Sequence, residues 1–260
     1  MISLRDIVAA KREAPRLRVS SEGGPVRDFT AALRSGAAPR VIAEFKRASP
    51  SAGPISAGAD PAELARAYEG AGAAAISVLT DPRFFDGSPE HLRAARAATS
   101  LPALRKDFLL DPEEVAVSRA LGADAVLLIV AILERRLLEE MLAAAREAGV
   151  AALVETHDEA ECDRALEDGA AIVGVNNRDL GTMRVDLAVF ERLRPRIPRS
   201  ILVVAESGVR TSEDALRLTR AGADALLVGE TLMRATDPGA ALRALRPSPR
   251  AAMPEGGRKP

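Results

Sequence analysis

Short apolar runs alternate with amphipathic segments along almost the whole chain. Eight runs read as strands, at about residues 41–45, 74–79, 102–105, 125–130, 151–155, 171–176, 201–206 and 225–229. Such runs indicate strands buried on both faces, as in a parallel sheet. Segments with helical periodicity lie between and after them, at about residues 61–70, 89–98, 112–120, 134–148, 158–167, 187–194, 212–220 and 237–245.

A glycine-containing joint recurs between the helical segments and the apolar runs. The pattern x-Gly-small-x-Ala, or a close variant of it, stands around Gly72, Gly122, Gly149, Gly169 and Gly222. Glycine suits the left-handed residue just past the end of a helix. The N-terminal ends of three helical segments carry helix-start signals, in which a capping residue is followed by proline. These are Asp60-Pro61, Ser88-Pro89 and Asp111-Pro112. Together these helix-start and helix-end signals indicate repeated βα modules.

Eight alternating βα units predict a (β/α)8 TIM barrel. The structural alternative is a doubly wound open sheet. That fold usually carries a glycine-rich dinucleotide turn after its first strand, whereas residues 46–50 here read Lys-Arg-Ala-Ser-Pro. We therefore expect residues 41–246 to form one barrel, with an N-terminal helical extension at 1–40 and a disordered, Pro-, Gly- and Arg-rich tail at 247–260.

Composition excludes several classes of protein. The net charge of −1 argues against a nucleic-acid partner, and the longest apolar run, residues 125–133, is too short to span a membrane. The first residues lack the layout of a signal peptide. A single cysteine, Cys162, excludes an intrachain disulfide, lies in a helix pattern and fits a cytoplasmic protein. Only two histidines, His91 and His157, are present, and no metal-ligand spacing occurs, so we expect no metal.

Lysine is rare here and its placement is informative. The chain has 32 arginines and four lysines, and Lys46 and Lys106 stand at the ends of apolar runs. Lys11 and Lys259 fall in a helix pattern and in the tail. Because an ammonium can exchange a proton where a guanidinium cannot, Lys46 and Lys106 are the first candidates for chemistry. The plain alternative is that two lysines happen to fall in loops.

The carboxyl ends of the predicted strands are rich in charged and amide side chains. Barrel enzymes place their catalytic groups at these ends, so the asymmetry favours an enzyme over an inert scaffold. The candidates, in chain order, are Glu44, Lys46, Asp81, Lys106, Glu155, Asn176, Arg178 and Glu206.

Two glycine-containing turns follow the last two strands. Ser207-Gly208 comes after the seventh strand and Gly229-Glu230 after the eighth. Loops seven and eight, with a short helix N-terminus, are the usual phosphate cradle of the barrel fold. Backbone amides approach a phosphate best where no side chain intrudes, although glycines there could also form only tight turns.

Seven motifs in order resemble the indole-3-glycerol-phosphate synthase family, from about residue 4 to residue 245. They are Ile-Ala-Glu-Phe-Lys-Arg-Ala-Ser-Pro-Ser at 42–51, Leu-Thr-Asp with Phe-Phe-Asp-Gly-Ser at 79–88, Leu-Arg-Lys-Asp-Phe at 104–108, Leu-Val-Glu-Thr-His at 153–157, Gly-Val-Asn-Asn-Arg-Asp-Leu at 174–180, Ala-Glu-Ser-Gly-Val at 205–209 and Leu-Val-Gly-Glu at 227–230. One departure is Ala52, where many relatives have lysine.

The resemblance implies a carboxy-lyase of tryptophan biosynthesis. Its substrate would be 1-(2-carboxyphenylamino)-1-deoxyribulose 5-phosphate, a small phosphorylated molecule, converted to indole-3-glycerol phosphate, CO2 and water. No cofactor and no metal are implied. By family position Lys106 is the general acid and Glu155 the base or acid of the dehydration. Glu44 and Lys46 would orient and polarise substrate groups, and Asn176 would hold the substrate near the leaving oxygen and carboxylate.

The same resemblance implies the remaining contacts. Arg178 would help Asn176, and Phe85 and Phe108 would line the pocket for the anthranilate ring. Phosphate would bind the amides of Gly208 and Gly229, with contributions at the same turns and beside the first strand from Ser207, Glu230, Ser49 and Lys46. Glu206 is assigned to substrate binding. The plain alternative for each charged residue is a structural ion pair at the top of the barrel, and Glu44–Lys46 and Glu155–Lys106 could pair in that way and still be catalytic. We further expect a monomer or a weak homo-oligomer.

Two rival functions remain open at this stage. Another phosphate-binding barrel, the isomerase of the preceding step, would need a Cys/Asp acid–base pair, and Cys162 lies far from any strand end. A catalytically silent barrel that only binds a sugar phosphate would be expected to lose Lys106 or Glu155, and both are present. Turnover distinguishes these readings.

Overall fold

The eight apolar runs form a closed barrel of parallel strands in a computed structural model, which describes residues 3–15, 17, 19, 23–36 and 38–246. The strands are β1 (Arg40–Phe45), β2 (Ala75–Leu79), β3 (Ala103–Lys106), β4 (Ala125–Ile129), β5 (Ala151–Thr156), β6 (Ile172–Asn176), β7 (Leu202–Glu206) and β8 (Ala225–Val228). Each pairs with the next, and β8 pairs with β1, where Leu227 lies beside Ile42. The closure confirms the TIM barrel and rules out the open sheet.

Helices surround the barrel. They are α1 (Leu4–Glu13), α2 (Phe29–Arg34), α3 (Pro61–Gly70), α4 (Pro82–Phe85), α5 (Pro89–Ala97), α6 (Glu113–Ala120), α7 (Arg135–Ala148), α8 (Glu159–Glu167), α9 (Ala188–Leu193), α10 (Ser212–Arg220), α11 (Glu230–Met233) and α12 (Pro238–Ala244). The eight predicted helices match within about two residues at each end. The short α4 and α11 and a two-stranded hairpin, Ala48–Ser49 with Gly53–Pro54, were not predicted. The tail predicted for residues 247–260 lies outside the described residues.

Small boundary errors have local causes. The predicted strand at 125–130 ends at Ile129 because Val130 begins a 3-10 turn. The predicted helix at 112–120 begins at Glu113, whose backbone N–H donates to the Asp111 side chain at 2.9 Å. The strand predicted to reach 229 ends at Val228, since Gly229 caps α11.

The repeated glycines end helices as the pattern predicts. All five, from Gly72 to Gly222, have φ between 69° and 101°. The residue after each glycine donates its backbone N–H to a carbonyl five residues earlier, as Ala73 does to Tyr68 at 2.9 Å. This bond pattern closes the last helical turn and aims the chain into the next strand.

Two layers of apolar side chains hold the barrel together. Outward-facing strand residues such as Val41 and Val126 pack under the helices, while inward-facing residues such as Ile42 and Leu104 fill the barrel. Phe29 of α2 belongs to the inner cluster and is 1% exposed. Helix α2 therefore helps to seal the barrel interior, and chemistry is confined to the end where the strands finish. No helix among the described residues is long and apolar enough to cross a bilayer.

Candidate active site

A cavity of about 350 Å³ opens at the carboxyl ends of the strands. The proposed site residues converge on it from β1, β3, β5, β6, β7 and β8 and from the loops that follow. The sequence-predicted residues that line it are Glu44, Lys46, Ser49, Phe85, Lys106, Phe108, Glu155, Asn176, Arg178, Glu206, Ser207, Gly208, Gly229 and Glu230. Asp81 does not line it, because its side chain accepts from Phe84 N–H at 2.8 Å and caps α4.

Lys106 stands between two buried carboxylates. Its Nζ lies 3.1 Å from Glu155 Oε2 and 3.2 Å from Glu206 Oε2. Burial by itself would lower the pKa of Lys106, but the charges of Glu155, Glu206 and Glu44 outweigh burial and raise that pKa well above its usual value. Lys106 is therefore an ammonium at neutral pH, aimed into the cavity. The ion pair between Lys106 and Glu155, which the sequence left open as an alternative, is present.

Glu155 is held as a carboxylate. Its Oε1 accepts from Asn176 Nδ2 at 3.0 Å and lies 3.1 Å from His157 Nε2. Burial would raise the pKa of Glu155, but Lys106 and His157 together lower it well below the usual value. An ionised, buried carboxylate beside a lysine can accept a proton during a reaction.

Glu206 has the opposite character. Its Oε1 is buried and has no hydrogen-bond partner among the described residues. Burial raises the pKa of Glu206, the charge of Lys106 opposes that rise, and the neighbouring Glu155 adds to it, so that the pKa stands at about 8. The raised pKa favours the protonated form of Glu206, which is a hydrogen-bond donor as well as an acceptor.

Room for the Glu206 carboxylate comes from a missing side chain on the neighbouring strand. A Cβ built on Gly174 of β6 would lie 2.2 Å from Glu206 Oε1. Gly174 belongs to one of the seven motifs, but nothing in the sequence indicates which side chain occupies the space that it leaves.

Glu44 and Lys46 form a second ion pair, with Lys46 Nζ 2.7 Å from Glu44 Oε1. Gly229 makes this arrangement possible, because a Cβ there would lie 2.3 Å from Glu44 Oε1. From the sequence, Gly229 was predicted to have one role, in the phosphate-binding turn. Its place beside Glu44 shows that it also leaves room for the Glu44 carboxylate at the base of the cavity.

Asn176 and Arg178 are fixed by the loop that follows β6. Arg178 donates its backbone N–H to Asn176 Oδ1 at 3.0 Å, which leaves Asn176 Nδ2 for Glu155. The Arg178 guanidinium donates to the carbonyl of Met183 at 3.1 Å and lines the cavity. Its remaining donors can meet an anionic substrate group.

Asn177, which sequence reasoning missed, braces the neighbouring turn. Its side-chain amide donates to the backbone carbonyls of Glu206 and Ser207 at 3.0 and 3.1 Å, and its oxygen accepts from Phe190 N–H at 3.0 Å. Ser207 has φ +62°, a conformation that costs on the order of 1–3 kcal/mol outside glycine. Asn177 therefore helps to hold a strained turn at the cavity rim.

The two glycine turns lie side by side at that rim. The Thr231 hydroxyl donates to the carbonyl of Val209 at 2.6 Å and ties the turn after β8 to the turn after β7. The Glu230 carboxylate pairs with Arg234 at 2.9 Å, which partly neutralises it beside a predicted anion site. Any phosphate contact of Glu230 would therefore use its backbone amide at the start of α11.

The two predicted aromatic residues pack together. The rings of Phe85 and Phe108 are 6.0 Å apart between centroids and tilted by 36°. Ser49 lies in the loop after β1, where its hydroxyl accepts from Ala52 N–H at 3.1 Å. Helix α1 completes the wall with Leu4 and Ile7, which sequence reasoning did not assign to the site.

His157 is a further residue that sequence reasoning left unassigned. Its Nδ1 lies 2.9 Å from Glu161 Oε2, and its Nε2 faces Glu155. Burial would lower the pKa of His157, but the two carboxylates raise it to about 10. The signal available in the sequence was its place two residues after Glu155 and four before Glu161.

Cys162 is buried in α8 and burial raises the pKa of its thiol to about 11, which supports a packing role. Among the described residues no group of three or more His, Cys, Asp or Glu side chains is arranged to hold a metal ion.

The fold and the site together define a class: a TIM-barrel enzyme with a buried cluster of lysine and glutamate side chains beside two glycine turns. Comparison with known proteins identifies the family. The family model for indole-3-glycerol phosphate synthase matches residues 3–245. The chain belongs to the indole-3-glycerol phosphate synthase family, whose members are carboxy-lyases of tryptophan biosynthesis.

Individual relatives agree over nearly the full length. The chain is 52% identical to indole-3-glycerol phosphate synthase 2 of Streptomyces coelicolor over 238 residues, covering 91% of this chain and 92% of the relative. It is 51% identical to indole-3-glycerol phosphate synthase of Mycobacterium avium over 242 residues, covering 93% and 85%.

Solved structures that are distant in sequence share the fold alone. The 3-hexulose-6-phosphate synthase of Salmonella typhimurium superposes with a TM-score of 0.64 at 16% identity, covering 79% of this chain and 96% of that one. Thiamine phosphate pyrophosphorylase of Pyrococcus furiosus gives 0.58 at 20% identity, covering 80% and 93%.

Proposed function

We propose that this chain converts 1-(2-carboxyphenylamino)-1-deoxyribulose 5-phosphate to indole-3-glycerol phosphate, CO2 and water, with the residues that line the cavity performing the chemistry. The observation that carries the proposal is the placement of Lys106, a buried ammonium between Glu155 and Glu206 at the floor of the cavity. Family membership supports the same reaction.

Ring closure needs a proton donor. The ring carbon that bears the carboxylate attacks the ribulose carbonyl, a C–C bond forms, and the carbonyl oxygen becomes a hydroxyl by taking a proton. Lys106 supplies that proton, since its ammonium is stable at rest yet more acidic than a developing alkoxide. A positioned proton transfer of this kind contributes on the order of 10²–10⁴-fold in rate.

Loss of CO2 and water completes the indole. The C–C bond to the carboxylate breaks and its electrons return to the ring system. The new hydroxyl then takes a proton from the protonated carboxyl of Glu206 and leaves as water, while the methylene carbon of the new ring loses a proton. Glu155 is the base that accepts this proton, because Lys106 and His157 keep it ionised. Asn176 fixes the orientation of Glu155 through the 3.0 Å hydrogen bond.

Substrate groups are held around this centre. Lys46, oriented by Glu44, polarises hydroxyl groups, and protonated Glu206 donates a hydrogen bond to the substrate. Arg178 binds the carboxylate before it leaves, and Phe85 and Phe108 contact the anthranilate ring. The phosphate binds backbone amides at Ser207, Gly208, Gly229 and Glu230, with Ser49 nearby.

A cytoplasmic location and a monomeric or weakly associating state complete the proposal. One buried cysteine and the absence of a membrane-length helix among the described residues are compatible with that location. Cell fractionation and analytical ultracentrifugation measure the two properties.

The reaction itself is tested by turnover in EDTA, followed by the fluorescence of the indole product. The chain has no tryptophan, so background emission is low. We expect product at a rate that added metal does not change. Binding of the substrate without turnover would instead favour a silent sugar-phosphate barrel.

A further inference from the structure

A third lysine reaches the active-site end of the barrel. Lys11 lies on α1, and its Nζ is 2.6 Å from Asp107 Oδ1, with 14% of the Lys11 side chain and 1% of the Asp107 side chain exposed. Lys11 is one helical turn from Ile7, so both project from the same face of α1. Ile7 and Leu4 line the cavity. The ion pair and the cavity wall are therefore parts of one contact.

Asp107 is a fully occupied hub. Its Oδ1 accepts from Lys11 and from Phe108 N–H at 2.8 Å, and its Oδ2 accepts from Arg105 at 2.7 Å and Thr80 at 2.6 Å. Burial would raise the pKa of Asp107, but Arg105 and Lys11 outweigh it and hold the pKa at about 2. The carboxylate keeps Arg105 and Thr80 even without Lys11.

Helix α1, in contrast to Asp107, has few other contacts to hold it in place. Of its ten residues only Ile7 is buried, and Lys11 forms an ion pair with Asp107 of the barrel. A ten-residue helix is marginal without tertiary contacts. Removing the ammonium thus loosens α1 while leaving the barrel network in place.

We propose that Lys11 is a positioning residue that tethers α1 over the cavity through Asp107, the residue between Lys106 and Phe108, so that the substrate is enclosed when α1 is seated. This inference rests on the proposed function for its kinetic readout. It assigns to the N-terminal helix a specific attachment point at the catalytic strand β3. Lys11 itself is not proposed to touch the reacting atoms.

The variants separate charge from packing. Lys11→Met removes the ammonium and keeps most of the aliphatic stem, and Lys11→Arg keeps a charge that can reach Asp107. Arg12→Met is the matched control, since Arg12 is an exposed neighbour on α1 with no ion-pair partner among the described residues.

We expect Lys11→Met to raise KM about tenfold with kcat within about threefold, Lys11→Arg to recover most of the loss, and Arg12→Met to behave as wild type. Hydrogen exchange of the α1 amides in ligand-free protein should quicken in Lys11→Met alone, whether or not the enzyme turns over. With an analogue whose ribulose carbonyl is reduced to an alcohol, α1 should gain protection in wild type and much less in Lys11→Met.

Two outcomes would overturn the proposal. One is unchanged KM and unchanged α1 exchange in Lys11→Met, even with a lower melting temperature. The other is global unfolding of Lys11→Met, which would make the pair a support of the fold. Absence of turnover in wild type would contradict the proposed function. The hydrogen-exchange result in ligand-free protein would still show whether Lys11 holds α1 against the barrel.

Discussion

Gly229 leaves the space that the carboxylate of Glu44 occupies. The two residues lie on neighbouring strand ends, and a Cβ at Gly229 would stand 2.3 Å from Glu44 Oε1 and 3.2 Å from Glu44 Cβ. The backbone of Gly229 has φ −119°, which any residue can adopt, so steric contact is the reason for glycine here. Glu44 in turn places Lys46.

We expect Gly229→Ala to lower kcat/KM by about 10²-fold, since a displacement near 1 Å in a catalytic group has effects of that size. The matched control is Gly70→Ala, at a helix end where an added Cβ meets nothing within 4 Å. Gly70→Ala should keep full activity and equal or greater stability. Wild-type activity in Gly229→Ala would contradict the packing that we describe.

Glu206 gives a stability signature that depends on pH. Its folded pKa of about 8 lies above the usual value of 4.5 for a glutamate, so the folded state binds an extra proton between these two pH values. Stability from this group is fully present below about pH 4.5 and is lost as pH rises through about 8.

Glu206→Gln keeps the shape and cannot ionise. We expect Glu206→Gln to have a higher melting temperature than wild type, by roughly 2–4 °C for each kcal/mol gained in the free energy of unfolding. This difference in melting temperature should grow from pH 6 to pH 9. Activity should fall, because the donor and charge balance beside Lys106 change. A constant melting difference across this range, measured by differential scanning calorimetry, would show that Glu206 is ionised throughout.

His157 supports the ionised state of Glu155. Its imidazolium faces Glu155 and Glu161, with Asp179 also within electrostatic range and Lys106 across Glu155. Its stabilising charge is present below about pH 6.5 and lost as pH rises through about 10. Neutral His157 would leave Glu155 with Lys106 as its nearby cation.

We expect His157→Gln to move the acidic limb of the kcat/KM profile upward by about one pH unit, because one opposite charge within contact distance shifts a carboxyl by about that much. The control is His91→Gln, whose ring packs edge-on against Phe45 away from the cavity. An unmoved acidic limb in His157→Gln would remove His157 from the account.

Substitution of Gly208 tests the proposed phosphate-binding turn separately from the charged residues at the base of the cavity. It has φ +91°, and a Cβ there would lie 2.7 Å from both Val185 and Leu187. We expect Gly208→Ala to raise KM about tenfold and to change kcat less, because the phosphate is remote from the bonds that change. A loss confined to kcat, in steady-state kinetics at saturating substrate, would argue against a phosphate at this turn.

The fold could be predicted from the sequence because each βα unit carries its own signals for the end of the helix and the start of the strand. Gly122, for example, follows a helix pattern and precedes an apolar run, and both boundaries hold in the structure within a residue or two. The short α4 escaped notice because four residues, Pro82–Phe85, are too few to show a period. Strand ends in a barrel converge by topology, so Lys106 and Glu155 could be placed together in advance.

Contacts that depend on the third dimension were out of reach. No pattern links Lys11 to Asp107, which are 96 residues apart, or indicates that Gly174 makes room for Glu206. The state of charge also needed the structure. Glu155 and Glu206 look alike in the sequence, and only their surroundings lower the pKa of Glu155 and raise the pKa of Glu206.

The most direct test of the central claim is the turnover rate of Lys106→Met at saturating substrate, with substrate affinity measured in parallel by isothermal titration. We predict a kcat lower by about 10²–10⁴-fold with binding largely kept, since the proton donor is gone and the proposed phosphate-binding turns and aromatic pocket remain. A variant that retains a tenth or more of wild-type kcat would contradict the assignment of Lys106 as the general acid.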